Sequence, residues 1–122
     1  MKIIVSIALV TILSGCASID KVKQLWPRPH DPAMVAGFVD LEQTLSKVDC
    51  TDKTTVNNAI FKADWLNKYS FFRDDPQKDT TNTIVINLNK AAEAEEAACK
   101  RWINLANINM KTLKQSWSSR WH

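Results

Sequence analysis

Between Ile84 and Trp117 apolar side chains recur at spacings of four, three and four. Ile84, Leu88, Ala91, Cys99, Trp102, Ala106, Met110, Leu113 and Trp117 keep this rhythm, and Glu95 stands at the one interrupted position. An eleven-residue period lies close to that of a straight α-helix, so each of these residues falls on one face. The pattern predicts a single helix over 84–117, ~50 Å long at 1.5 Å per residue. Just before it, "TTNTIVINLN" is rich in β-branched residues and by propensity favours a strand. No second strand-like run exists to pair with it, and an isolated strand is unstable. Residues 80–86 therefore stay open between helix and strand.

Two shorter helices precede the long one. In "HDPAMVAGFVDLEQTLSKVDC", Asp31 is a good N-cap, and Pro32 suits the first helical position, where its missing N–H costs nothing. Met34, Phe38, Leu41, Leu45 and Val48 follow as an apolar stripe, which predicts a helix over 32–48. After the capping-rich turn "TDKTT", a second helix is expected over 55–72. Val56, Ile60, Ala63 and Leu66 form one stripe on it, and Phe61, Trp65 and Tyr69 form an adjacent one. So wide an apolar face predicts packing against two neighbours. Pro76 ends this helix, because a proline disfavours helical geometry at the residue before it.

The only glycines are Gly15 and Gly37, so hairpin turns and a phosphate-cradling loop are both excluded. The expected fold is all-α: a small three-helix bundle with one long C-terminal helix.

The start of the chain has a different character. Met1 and Lys2 are followed by an uncharged run over 3–13, too short to cross a membrane and matching the core of a secretory signal. Leu13, Ser14, Gly15 and Cys16 then match the lipobox at every position, and the chain resembles the bacterial lipoproteins. That resemblance implies cleavage before Cys16, a diacylglycerol on its thiol and acylation of the new N-terminus. Several chains together hold a protein on a membrane where one does not. The alternative is an ordinary buried cysteine that happens to follow an apolar stretch. Ala17 stands where an aspartate would favour inner-membrane retention, so the resemblance implies an outer-membrane anchor with the domain facing the periplasm. The divisions follow: a signal over 1–15, a lipidated tether over 16–31 and a helical periplasmic domain over 32–122.

With Cys16 assigned to lipid, Cys50 and Cys99 remain. In an oxidising periplasm they read as one disulfide, which would clamp the start of the domain to the long helix. A zinc site is the rival, but it needs two more ligands, and the two histidines lie near the chain ends. In the tether, Ile19, Val22 and Trp26 sit at helical spacing among lysines. That stretch reads either as a short helix on the membrane surface or as a solvated tether. Pro27, Pro29 and Pro32 then enforce a stiff, extended segment.

Chemistry is hard to place. His30 is better explained as part of a helix start, and His122 is terminal, so no base for nucleophilic catalysis is evident. Glu93, Glu95 and Glu96 read as a solvated helix face. No catalytic residue, metal or other cofactor is expected. A formal charge of +3 is too mild to imply nucleic acid. Residues 100–122 carry Lys100, Arg101, Lys111, Lys114 and Arg120 with no acid, and Trp117 and Trp121 stand among them. One reading is that the bases near the end of the helix complement its dipole while its tryptophans pack in the core. Tryptophan beside cations also suits a binding face, for which Lys111, Lys114, Trp117, Arg120 and Trp121 are the candidates.

The function expected is a non-catalytic, lipid-anchored envelope protein acting as a protein-interaction module. Its partners would be the membrane and an envelope protein. The tether and "WPRPHDP" look like small outer-membrane lipoproteins of bacteriophages and prophages. That resemblance implies a role like an outer spanin in lysis, or superinfection exclusion. An inhibitor of an envelope hydrolase is a further alternative, and the loop "RDDPQKDTTN" would be its protruding element.

Overall fold

The computed structural model describes residues 31–120, the side chain of Arg120 excepted. Pro32 is helical, whereas the signal, the lipobox with Cys16, the tether with Pro27 and Pro29, His30, Trp121 and His122 lie outside the described residues. Within them four helices follow one another: α1 (Pro32–Ser46), α2 (Lys53–Phe72), α3 (Lys78–Glu93) and α4 (Glu96–Arg120). The chain is all-α.

Helix α1 starts as its sequence dictates. Asp31 is extended (φ −110°, ψ 100°), and its Oδ1 accepts from the backbone N–H groups of Ala33 (3.1 Å) and Met34 (3.2 Å). Met34, Phe38, Leu41 and Leu45 then face the core. The turn to α2 is held by side chains. The Asp49 carboxylate accepts from the Thr51 hydroxyl (2.7 Å) and N–H (2.9 Å), while Asp52 caps α2 through the Thr54 N–H. These caps start α2 at Lys53, two residues before the expected position.

Helix α2 stops at an aspartate pair. Asp74 adopts φ 49°, a left-handed conformation that aspartate tolerates better than most residues. The Asp75 N–H then donates back to the Ser70 carbonyl at 2.9 Å, and Asp75 Oδ1 accepts from the Gln77 N–H at 2.8 Å. Residues 80–86 are helical. The Thr81 hydroxyl lies 2.7 Å from the Lys78 carbonyl, and Thr83 donates to that of Asp79 at 3.0 Å, so these threonines satisfy themselves within the helix.

One prediction needs correction. The long helix is two helices, α3 and α4, and the bundle has four members. Ala94 is extended (φ −89°, ψ 159°), and α4 begins afresh after Glu95. The break leaves carbonyl groups at the end of α3, and an ammonium from the first residue of α2 meets them. Lys53 Nζ donates to the Ala91 carbonyl at 2.9 Å and to the Ala94 carbonyl at 2.6 Å. A cation at a helix C-terminus also answers the negative end of the dipole. The stripe survives the break: Ile84, Leu88 and Ala91 are buried from α3, and Cys99, Ala106, Met110, Leu113 and Trp117 from α4. Glu95, the interruption, sits at the corner.

Cross-links between helices give the topology. Lys62 pairs with Asp40 (2.7 Å) and Tyr69 reaches Asp31, so α1 and α2 are antiparallel. Thr81 meets Asn67 while Lys53 meets Ala91, so α3 reverses again. On α4, Trp102 lies under Lys90 (4.6 Å to the ring centre) and Trp117 bonds Asp75, so α4 reverses once more. Phe38 touches Trp117 edge-on (5.9 Å), which closes α4 against α1. The result is an up-down-up-down bundle. Cys50 and Cys99 form a disulfide with Cα atoms 5.9 Å apart, tying the α1–α2 turn to the first turn of α4. Val56 and Ala91 pack around it, with Ile60, Trp102 and Ile103 at the margin.

Candidate functional site

The predicted binding residues on α4 do not share one environment. Trp117 is 1% exposed, and its Nε1–H donates to Asp75 Oδ1 at 3.1 Å. Its indole belongs to the core and not to a binding face. The physical cue was already in the sequence, since Trp117 closes the buried stripe. Lys111 and Lys114 are exposed, and Lys114 Nζ stands 3.6 Å from Glu42 on α1. The Arg120 side chain and Trp121 lie outside the described residues. The outward side of α4 carries something the charge pattern did not single out: Leu105 (43% exposed) and Ile108 (52%) face solvent. Arg101 and Lys111, both exposed, flank them at helical spacing.

A second surface lies between α1 and α2. The two stripes of α2 were expected to pack on two neighbours. Val56, Ala63 and Leu66 are buried, whereas Phe61 is 71% exposed and Trp65 44%. Trp65 stacks on Tyr69 with ring centres 5.1 Å apart and planes 12° from parallel. The indole also lies against Gly37 of α1. A Cβ built there would fall 2.4 Å from Trp65 Cζ3, so the close approach requires glycine. A mid-helix glycine costs ~1 kcal/mol against alanine, and that cost was the one sequence sign of this approach.

Ala33, Ala36, Gly37, Asp40, Phe61, Lys62 and Trp65 line a groove of about 520 Å³. Ala33, Ala36 and Gly37 are the small residues of its lining, and Phe61 and Trp65 are the large apolar ones. At the head of the groove the Tyr69 hydroxyl donates to the Asp31 carboxylate at 3.0 Å, and Arg73 Nε lies 3.5 Å from the same carboxylate. The bond to Asp31 holds the Tyr69 phenol above its ordinary ionisation range.

Among the described residues, no group of three or more His, Cys, Asp or Glu side chains is placed to hold a metal ion. Cys50 and Cys99 are engaged with each other. Glu93, Glu95 and Glu96 are exposed. No helix among the described residues is long and apolar enough to cross a membrane. No protein-family model, no curated protein and no solved structure matches this chain.

Proposed function

We propose that this chain is a non-catalytic protein of the bacterial envelope, anchored by lipid on Cys16 to the periplasmic face of the outer membrane, that works by binding another envelope protein. The observation that carries this reading is the outward side of α4. There Leu105 and Ile108 stand exposed between Arg101 and Lys111, on a stretch with no acidic residue after Glu96. An apolar pair bordered by cations suits a partner that offers apolar anchors inside an acidic rim. The disulfide supports an oxidising compartment, and the lipobox supports the anchor.

Two experiments test the reading. A photo-crosslinking amino acid at Ile108, activated in living cells, is expected to give a discrete protein adduct that Leu105→Asp removes. The identity of that adduct separates lysis, superinfection exclusion and inhibition of an envelope hydrolase. Lipid adducts alone, or none, overturn the interaction module. For the anchor, Cys16→Ser is expected to accumulate as an unprocessed precursor, and normal cleavage with membrane attachment in that variant refutes it.

A further inference from the structure

We propose that the aromatic side of α2 pairs with the same side of a second copy of this chain, in an antiparallel two-fold dimer where Phe72 of each copy enters the α1–α2 groove of the other. This goes beyond the proposed function and uses a different surface, so the two stand or fall separately.

Spacing on α2 points to this partner. Val56, Ala59, Ala63, Leu66 and Ser70 are the buried residues of the helix. At 3.6 residues per turn, Phe61, Trp65, Lys68 and Phe72 fall on the opposite side. All four are exposed, Phe72 at 85%. Their spacings of four, three and four read the same in both directions. A two-fold axis crossing α2 between Leu66 and Asn67 therefore sets Phe61 against Phe72 of the second copy, and Trp65 against its Lys68. A self-complementary order of this kind is what a two-fold contact requires, because each pairing is made twice. A cation opposite an indole adds its own attraction. Asp64 and Lys68 straddle the same axis, so the acid of one copy also comes near the base of the other.

Shape, area and charge agree with it. The groove opens beside Phe61 and Trp65, where Ala33, Ala36 and Gly37 leave room for a ring. Phe72 stands about three turns away, ~16 Å along the axis at 1.5 Å per residue. One side of α2 thus carries a socket at one end and a plug at the other, and antiparallel pairing brings each plug to a socket. Aromatic anchors seated in pockets carry much of the binding energy of such interfaces. An aromatic side chain covers ~150–250 Å², so the exposed parts of Phe61, Trp65 and Phe72 amount to about 400 Å² per copy. That is half of the ~800 Å² that each partner gives to a standard interface, and flanking side chains of α1 and α2 supply the rest. The charged border is neutral, since Lys62 pairs with Asp40 at 2.7 Å and Lys68 with Asp64 at 2.8 Å. An anionic bilayer calls for cations in excess, so this surface suits its own copy better than lipid.

The test is made in living cells on the full chain, co-expressed as two differently tagged copies, one with benzoylphenylalanine in place of Phe72. Irradiation is expected to join the two copies, and peptide mapping to place the bond on the acceptor copy between residues 33 and 37 or between residues 61 and 65. Phe61→Asp in the acceptor, at an exposed position, should lower the yield at least fivefold with helicity unchanged, while Phe61→Leu should keep at least half of it. The mapped position is read with no substitution in the acceptor, so it decides the inference even if Phe61→Asp disturbs the fold. A bond elsewhere on the second copy, or a yield indifferent to Phe61→Asp in a folded acceptor, overturns the dimer. Adducts within one copy alone, with lipid alone or with another protein alone overturn it as well, and so does the absence of any adduct. A partner adduct formed from Ile108 should survive Phe61→Asp, which keeps the two surfaces distinguishable.

Discussion

Asp31 shows how much one side chain organises here. It caps α1 through two backbone N–H groups, accepts the Tyr69 hydroxyl and lies near Arg73. Tyr69 is the only tyrosine in the chain, so absorbance in alkali reads it alone. Its midpoint is expected above the ordinary value of ~10, and Asp31→Ala should bring it back down. The sign for stability follows. A phenol whose folded-state ionisation is raised contributes fully at pH below its unfolded value. That contribution disappears as pH rises through the folded value, so unfolding midpoints should fall in that window for the native chain and less for Asp31→Ala. The same variant should lose about 1 kcal/mol at neutral pH through the missing cap, measured by denaturant unfolding. Gly37→Ala tests the other close contact. Better helix propensity opposes displacement of the Trp65 ring, so stability should change by less than ~1 kcal/mol while the Trp65 indole N–H resonance moves.

Helices were legible to different depths, and the α3–α4 corner shows why. The buried set from Ile84 to Trp117 can be read directly from spacing, because a core-facing stripe needs only local periodicity. The opening at Ala94 cannot be read that way. Its neighbours are alanines and glutamates, all strong helix formers, and the group that satisfies its carbonyls is Lys53, 38 and 41 residues away. A long-range cap leaves no local trace beyond the interruption at Glu95. Lys53→Met should therefore cost about 1–2 kcal/mol in denaturant unfolding, more than a surface lysine would. The α2 stripes failed in the opposite direction. Periodicity shows that Phe61 and Trp65 share a face, but it does not show whether the fold supplies a helix to cover them. Trp117 supported two readings, core packing from its phase in the stripe and a binding face from its charged neighbours, and its burial selects the first. Trp117→Ala should cost ~3–5 kcal/mol, read from the unfolding midpoint with far-ultraviolet dichroism as the check on helicity.

At the scale of the molecule, the disulfide joins positions separated by 49 residues and holds the α1–α2 turn to the start of the last helix at one end of the bundle. In the chain-entropy account a loop of that size stabilises the native state by about 4 kcal/mol, an upper figure once strain is allowed for. Reduction, or a Cys50→Ala and Cys99→Ala pair, should lower the melting temperature without changing the helix content of the folded form. The four-helix count has a geometric consequence. Each helix reverses the one before, so an even number returns the chain to the pole where it entered: Asp31 and Ser119 belong to the same end, and the Cys50–Cys99 bridge marks the other. Had the chain continued straight through Ala94, its two ends would emerge at opposite poles. As it is, whatever holds the N-terminal side also sets the position of the C-terminal side, and the cystine pole is the part of the domain that points away from both.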